Sequence, residues 1–218
     1  MKKYPIISVI IPTYNNSEFL GRCLRSIINQ NIEKKEYEII VIDDGSTDQT
    51  KKVLNIYRDE IIILKNKVNK GLPYSINKGI KNSKGRFIVR LDSDDYVNIN
   101  FLYILKIFLI ENQDIDAVSC DYYLVDDKEK ILTRNNCLKK PIGCGIMFRI
   151  QHLINLGLYD EKFLLHEDKD LRLRFLDKYN IFRVPLPLYR YRKHEKNITN
   201  NKKKMSEHFK NLKKKHKL

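Results

Sequence analysis

Residues 90–95 have the sequence RLDSDD, which places three carboxylates within four positions of a chain whose net charge is +15. Like charges this close together are costly unless a cation neutralises them. The preceding residues 85–91 are rich in aliphatic and aromatic side chains, which predicts a strand that ends where the acids begin. Ligands of an open α/β sheet bind at the carboxyl ends of its strands. We therefore expect a ligand site at this strand end.

The apolar pattern around this strand predicts an α/β fold. Strand-like runs alternate with helical patterns through the first half of the chain, which is typical of βαβ units with a parallel sheet. The predicted strands are residues 7–11, 38–42, 61–64 and 87–91, and the predicted helices are residues 18–29, 48–57 and 73–82.

Beyond residue 96 the pattern predicts a mixed α+β half. Helices are expected at residues 100–111, at 150–156 and from about residue 166, and strands at 117–120, 122–125 and 182–194. No linker rich in proline, glycine or serine separates the two halves, so we expect them to share one sheet. A chain of 218 residues is long enough to bury a full core as one domain.

Cysteine usage and hydropathy suggest where the protein resides. The four cysteines form no close pair and no tight cluster with histidine, which argues against a disulfide framework or structural zinc and favours a reducing cytoplasm. Pro12 and Asn15 interrupt the first apolar run, and no small-residue cleavage site follows, so we interpret that run as a core strand and not a signal peptide. The most apolar later segment, residues 101–110, is too short to cross a bilayer.

The end of the chain is strongly basic. Residues 202–218 contain eight lysines and one glutamate, and their apolar residues recur at helical spacing. This pattern predicts a short amphipathic helix that contacts an anionic membrane, with a solvated, frayed tail as the alternative. The net charge also raises the hypothesis of a nucleic-acid-binding module. The other lysines are scattered and no nucleic-acid motif is present, so we expect no nucleic-acid partner.

The acids of RLDSDD have a spacing that suits a metal site. Side chains alternate along a strand, so Asp92 and Asp94 point the same way and Asp95 lies just beyond them. Mg²⁺ is usually held by one or two carboxylates together with water and substrate phosphates. The cluster therefore suggests a divalent cation with a diphosphate ligand, and a solvated turn is the alternative.

Two other strand ends carry polar residues. VIDDGSTD at residues 41–48 places Asp43 and Asp44 where they can accept hydrogen bonds from a base or ribose, although an ordinary βα turn would have a similar sequence. IPTYNN at residues 11–16 places Tyr14 where it can stack on a flat ring. Together the three strand ends outline a nucleotide pocket.

With these motifs in order, the chain resembles the family 2 glycosyltransferases, which are inverting enzymes with the GT-A fold. The resemblance covers roughly residues 5–195, and it rests on IPTYNN, VIDDGSTD, NKGLPYSINKGIKNSKG (69–85), RLDSDD, FR (148–149), LGLYDE (156–161) and HEDKDLRLR (166–174). Each motif alone is weak, whereas the ordered set is specific. The fold that the resemblance implies is a Rossmann-like, mostly parallel central sheet flanked by helices, with a mixed α+β acceptor-side half.

The resemblance also implies roles for individual residues. Tyr14 would pack against the donor base, Asp44 would bond its ring nitrogen, and the rest of the nucleotide site would be Pro12, Asp43, Asn69, Gly71 and Asp92. A divalent metal, Mn²⁺ or Mg²⁺, would be held by Asp94, Asp95 and His194, although relatives differ in which acid is the direct ligand. Asp168 would be the catalytic base, and Glu167 would shape the acceptor side.

The implied activity is that of a hexosyltransferase. It would move a sugar from a nucleotide-diphosphate donor, expected to be a UDP-sugar, to a glycan or lipid-linked glycan in cell-surface polysaccharide biosynthesis. The single GT-A domain would span residues 1–200, with a nucleotide-binding half at 1–96, an acceptor half at 97–200 and a basic tail at 201–218. We expect a cytoplasmic protein that is peripheral on the inner membrane face through residues 202–218.

A metal-dependent sugar nucleotidyltransferase is the alternative enzyme. Such enzymes are similar to one another in an early loop rich in glycine and containing arginine. The segment PTYNNSEF that follows Ile11 lacks such a loop, so the sequence favours a glycosyltransferase over a nucleotidyltransferase.

Overall fold

The structure, a computed structural model, describes residues 4–195, 197, 200 and 202–217. Its strands are β1 (Ile7–Thr13), β2 (Tyr37–Asp43), β3 (Ile62–Lys65), β4 (Phe87–Arg90), β5 (Tyr96–Val97), β6 (Ala117–Val125), β7 (Ile131–Asn135), β8 (Ile146–Arg149) and β9 (Ile181–Arg192). Its α-helices are α1 (Ser17–Ile28), α2 (Thr50–Ile56), α3 (Leu72–Lys81), α4 (Phe101–Glu111), α5 (Ile150–Asn155), α6 (Glu167–Leu176) and α7 (Lys202–His216).

The first half is the predicted parallel α/β unit. Strands β3, β2, β1 and β4 lie side by side in that order, and all are parallel. The core strand β1 is buried on both faces, because Val9 packs in one apolar cluster with Leu24 of α1, while Ile10 packs in another with Ile76 of α3. Two covered faces explain why this strand is a continuous apolar run. The predicted strands and helices of this half are confirmed.

The second half continues the same sheet. Strand β8 is antiparallel to both β4 and β6, β9 is parallel to β6, and β5 and β7 are antiparallel to β9 and β6 respectively. The sheet therefore passes through both halves, as the absence of a linker predicted. The division of the chain near residues 96 and 200 stays a prediction, and residues 1–3, 196, 198, 199, 201 and 218 of the predicted ranges lie outside the described residues.

The prediction of two short strands at residues 117–120 and 122–125 was wrong, because β6 is one strand of nine residues. Asp121 in its middle suggested a break. In the structure that carboxylate accepts hydrogen bonds of 2.7 and 2.6 Å from Arg183 of β9 and is 1% exposed. A paired carboxylate can remain inside a sheet, and the register between β6 and β9 shifts both before and after Asp121.

The basic C-terminal segment forms the predicted helix, α7, and this helix lies against the body of the protein. Leu212 is only 1% exposed, so its apolar side chain is covered. None of the helices among the described residues is both long and apolar enough to span a bilayer.

Candidate active site

The parallel register brings three strand ends to one edge of the sheet. Thr13 of β1 is opposite Asp43 of β2, and Ile10 of β1 is opposite Arg90 of β4. The residues that follow these strands therefore meet at the same edge. They include most of the residues predicted for the donor and metal site, namely Tyr14, Asp44, Asp92, Asp94 and Asp95, with Pro12 and Asp43 at the strand ends themselves.

Asp44 organises the loop on the far side of β2. Its carboxylate accepts hydrogen bonds from Asn66 Nδ2 (2.7 Å), Lys70 N (2.9 Å) and Gly71 N (2.9 Å). These bonds hold Asn69 and Gly71, two other predicted nucleotide-site residues, beside the strand end. The role implied for Asp44, a bond to the base, stays a prediction, and the structure adds the role of fixing this loop.

A glycine permits the close approach of the two loops. Gly45 has a φ of +78°, and a Cβ atom there would lie 2.7 Å from the carbonyl carbon of Val68. Any L-residue would therefore be strained and would clash with the backbone of the loop. Next to it, Asp43 accepts a hydrogen bond of 2.9 Å from Ser46 N, which closes the turn after β2.

Tyr14 lies at the rim of this crevice. It is 47% exposed, so its ring is accessible to a planar ligand. The neighbouring Asn15 adopts a φ of 47°, and its side-chain oxygen accepts a hydrogen bond of 2.8 Å from Thr47 N. The loops after β1 and β2 are thus tied together, and this tie fixes the backbone on which Tyr14 is placed.

Asp92 is bound to Arg90, a residue whose importance the sequence did not reveal. Arg90 donates to both Asp92 oxygens, at 2.6 and 3.0 Å, and its third nitrogen, Nη1, donates to Glu167 Oε1 at 2.9 Å. Although burial opposes the charge, the two carboxylates raise the pKa of Arg90 well above its ordinary value. One buried guanidinium therefore joins the end of β4 to the start of α6.

Two carboxylates share this one guanidinium, so the group carries one excess negative charge if all three side chains are ionised. Burial raises the pKa of Glu167 to about 7, even though Arg90 opposes the shift. Burial likewise raises the pKa of Asp92. Glu167 is only 5% exposed and points at Arg90, so its contact is with the donor side of the site. Its predicted role on the acceptor side stays a prediction.

Asp94 and His194, two of the predicted metal ligands, are brought together although they are 100 positions apart in the chain. Asp94 Oδ2 lies 3.0 Å from His194 Nε2, and the Asp94 side chain is 24% exposed. The ring of His194 lies 4.6 Å from that of Phe19 between centroids, and its Nδ1 is a buried atom without a hydrogen-bond partner among the described residues. Carboxylate oxygen suits Mn²⁺ and Mg²⁺, so Asp94 fits the predicted cation, and His194 adds an imidazole nitrogen beside it.

Asp95, the third predicted ligand, is held by the protein. It is 1% exposed, and its two oxygens accept hydrogen bonds from Tyr189 Oη (2.6 Å) and from Arg192 N (2.8 Å). Asp95 also forms a group with Asp92 and Cys144 in which one potential ligand atom from each lies within 4.8 Å of the others. Burial raises the pKa of the Cys144 thiol well above its usual value, so the thiol stays protonated and is a poor ligand for a hard cation.

Asp168, the predicted base, lies in the first turn of α6. It borders a cavity of about 40 Å³ together with Gly143 and Tyr159. A Cβ atom on Gly143 would lie 2.6 Å from the Asp168 Cβ, so the absence of a side chain at Gly143 permits this approach. The helix begins after His166, whose φ of 62° is left-handed.

Sequence analysis missed Arg90 and Tyr189 as residues of the site. A signal for Arg90 was available, because strand residues two apart share a face and Arg90 therefore lies on the side of Asp92. No local signal could have found Tyr189, which reaches Asp95 across 94 positions of the chain.

Comparison with known proteins gives consistent matches over most of the chain. The model of the family described as Glycosyl transferase family 2 matches residues 8–175. A poly(ribitol-phosphate) beta-glucosyltransferase of Bacillus spizizenii is 40% identical over 111 residues, which are 49% of this chain and 18% of that protein. An uncharacterized glycosyltransferase of Rickettsia typhi is 31% identical over 215 residues, which are 90% of this chain and 66% of that protein.

Solved structures show the same fold. A crystal structure of Staphylococcus aureus TarS 1-349 in complex with UDP-GlcNAc has a TM-score of 0.77 at 24% identity, over 89% of this chain and 60% of that chain. The mannosyltransferase PcManGT from Pyrobaculum calidifontis, in complex with GDP-Man and Mn²⁺, has a TM-score of 0.71 at 18% identity, over 90% of this chain and 59% of that chain. The chain thus spans between about a fifth and two thirds of the length of these four relatives.

Proposed function

This chain belongs to glycosyl transferase family 2 and has the GT-A fold, and from this premise we propose that it transfers a hexose from a nucleotide-diphosphate sugar to a polysaccharide acceptor. The observation that carries the proposal is the meeting of three polar strand ends at one edge of the sheet, joined through Arg90 to the helix that contains Asp168. In the proposed enzyme, a site of this kind would hold a donor and a proton acceptor on neighbouring elements. The resemblance of the sequence to the family is confirmed by the family match.

For the donor we propose a UDP-sugar. Tyr14 is accessible for stacking on the base, and Asp43 and Asp44 stand at the end of β2 where a base or ribose would be bound. The TarS structure contains UDP-GlcNAc, and the mannosyltransferase contains GDP-Man, so relatives of this fold bind both nucleotides. We choose UDP because the curated relatives with named acceptors include transferases of glucose and N-acetylglucosamine.

A divalent cation, Mn²⁺ or Mg²⁺, would be held by Asp94 and His194, with Asp95 and Asp92 adjoining. When bound, such a cation neutralises charge that develops on the leaving diphosphate. The protein residues would do the rest. Arg90 holds Asp92 in place by two hydrogen bonds, and Asn16 Nδ2 donates to Ser93 Oγ at 2.8 Å and so fixes the acid loop against α1.

For the chemical step we propose inversion at the sugar carbon, with Asp168 as the base. Asp168 would accept the proton of the acceptor hydroxyl as that oxygen attacks the anomeric carbon from the face opposite the leaving diphosphate. The transfer must exclude water as a competing acceptor. The left-handed turn at His166 and the small residue Gly143 both determine where the Asp168 side chain is placed.

For the acceptor we propose a cell-surface glycan or lipid-linked glycan. The Bacillus relative is named for poly(ribitol-phosphate), a polyanionic acceptor, and the exposed lysines of α7 include Lys203, Lys210 and Lys214. We also propose that this basic helix brings the protein to the anionic inner face of the membrane, which attracts clustered lysines at about 1 kcal/mol each. Since Leu212 is covered, the contact would rest on charge and not on insertion of an apolar face.

The test is release of UDP from a panel of UDP-sugars in the presence of Mn²⁺. We expect slow donor hydrolysis by the intact protein with one sugar, and faster release when the correct acceptor is added. Asp168→Asn should abolish the acceptor-dependent release while UDP still binds, and the exposed Asp59→Asn should behave as the unchanged chain. Turnover of no nucleotide sugar, with UDP and GDP series both included, would reject the proposal.

A further inference from the structure

Helix α7 contacts α6 just before the predicted base. His166 Nε2 lies 3.0 Å from the carbonyl oxygen of Met205, and its ring lies 5.6 Å from that of Phe209 between centroids. Lys169, on the other side of Asp168, has its ammonium 5.2 Å from the centre of the Phe209 ring. Residues on both sides of Asp168 therefore contact α7.

The second contact lies just after the base. Asp170 is fully buried, and its Oδ1 lies 2.6 Å from Lys215 Nζ and 2.8 Å from His216 Nε2 of α7. Its Oδ2 accepts a hydrogen bond from Arg174. A buried carboxylate that loses its cationic partners is strongly destabilised. The C-terminal end of α7 is thus tied firmly to α6.

The loop of residues 160–166, which precedes α6, also contacts α7. Lys215 also donates to Asp160 Oδ2 at 2.8 Å, and its ammonium lies 4.9 Å from the centre of the Phe163 ring. Leu164, in the same loop, packs closely against Gly71. A Cβ atom added to Gly71 would lie 2.8 Å from Leu164 Cδ2. The chain of contacts therefore runs from α7 through residues 160–166 to the loop that Asp44 organises.

The left-handed backbone at His166 makes this support necessary. A non-glycine residue in this region is strained and persists only when its surroundings hold it. The contacts of His166 with Met205 and Phe209 supply such surroundings. Without α7, the turn could relax and the start of α6 would move.

We propose that α7 is a positioning element of the acceptor side. It holds the turn at His166 and the carboxylate of Asp170, and so it fixes Asp168 between them at the orientation required for proton transfer. Lys215 of α7 and His166, just before α6, are the positioning residues, and neither needs to contact substrate. This inference rests on the proposed function for the role of Asp168, whereas the contacts between α7 and α6 do not depend on that function.

The test compares two lysines of the chain. Lys215→Met removes the contact with Asp170, and Lys84→Met removes the same charge from an exposed position before β4, at the edge of the sheet opposite the site. For Lys215→Met we expect faster hydrogen exchange at the Asp170 amide, which donates to His166 O at 3.0 Å, and a kcat about tenfold lower with an unchanged donor KM, because a small misplacement of a base is costly. Lys84→Met should change neither quantity, and Lys215→Arg should restore both.

The two readouts separate this inference from the proposed function. Unchanged exchange at Asp170 in Lys215→Met overturns the inference whether or not the chain turns over a donor, and so does faster exchange with an unchanged kcat. Absence of turnover by the unaltered chain counts against the proposed function alone. As a second variant, Leu212→Asn should have the same effects, because it places an amide at a position that is 1% exposed.

Discussion

The proposed donor side and the proposed acceptor side of the site are held by different kinds of contact. On the proposed donor side, Asp44 accepts hydrogen bonds from the backbone of a loop 26 and 27 residues away. Helix α6, on the proposed acceptor side, is joined to distant elements by single charged side chains, to β4 through Arg90 and Glu167 and to α7 through Lys215 and Asp170. Backbone donors remain when side chains change, so we expect the acceptor side to be more sensitive to substitution.

The largest effect should come from Arg90→Met. Removal of the guanidinium leaves the buried carboxylate of Glu167 and the partly buried carboxylate of Asp92 without their partner, and breaking a buried ion pair typically costs about 3–5 kcal/mol. The free energy of unfolding from urea titration measures this loss. Arg58→Met, at a site where 72% of the side chain is exposed, should change it by less than about 0.5 kcal/mol. An equally small loss for Arg90→Met would show that the ion pairs of Arg90 with Asp92 and Glu167 do not hold the two halves together.

A smaller effect should appear in the pH dependence of stability. Burial raises the pKa of Glu167 to about 7, above the value of about 4.3 in an unfolded chain. The folded state therefore binds the proton more tightly, and the free energy of unfolding falls as pH rises from about 4.3 to 7. The contribution of this residue is at most about 4 kcal/mol.

Glu167→Gln removes that titration, so its stability relative to the unaltered chain should rise between pH 5 and pH 8 in urea unfolding. Glu111→Gln, in an exposed position, should show a constant difference. A constant difference for Glu167→Gln as well would mean that Glu167 is ionised over this whole pH range, with Arg90 stabilising the charges of both carboxylates.

The smallest effect on stability should come from the donor side, in Asp44→Asn. The amide nitrogen cannot accept the hydrogen bonds of the loop, and loss of such partners costs about 1–2 kcal/mol. We expect the free energy of UDP binding to change more than the free energy of unfolding, because the loop that contains Asn69 and Gly71 is released. Calorimetry and urea unfolding of the same protein measure both quantities. A stability loss as large as that of Arg90→Met would break the contrast between the two sides.

The sequence predicted the donor half better than the acceptor half because the donor half depends on local patterns. Each strand and helix of residues 7–91 has its own apolar periodicity, and the parallel arrangement follows from their alternation. The acids at the strand ends could therefore be assigned to one edge of the sheet from the amino-acid pattern alone. Their predicted ligands, the base, the ribose and the cation, are untested.

The acceptor half depends on pairs that no local pattern reveals. Arg90 and Glu167 are 77 positions apart, and Asp170 and His216 are 46 positions apart. Asp121 suggested the end of a strand, since its partner Arg183 lies 62 positions away. The sequence predicted α7 as a helix from its spacing, but the surface that covers Leu212 is formed by the folded body.

The central claim, a nucleotide-sugar donor site at the edge of β1, β2 and β4, is tested most directly by calorimetric titration of UDP. We predict binding in the presence of Mn²⁺ that is weakened at least about tenfold by excess chelator and by Asp94→Asn, because the cation would neutralise the diphosphate beside that carboxylate. Asp59→Asn should bind as the unaltered chain does. Absence of binding with Mn²⁺ present, for UDP and for GDP alike, would contradict the account.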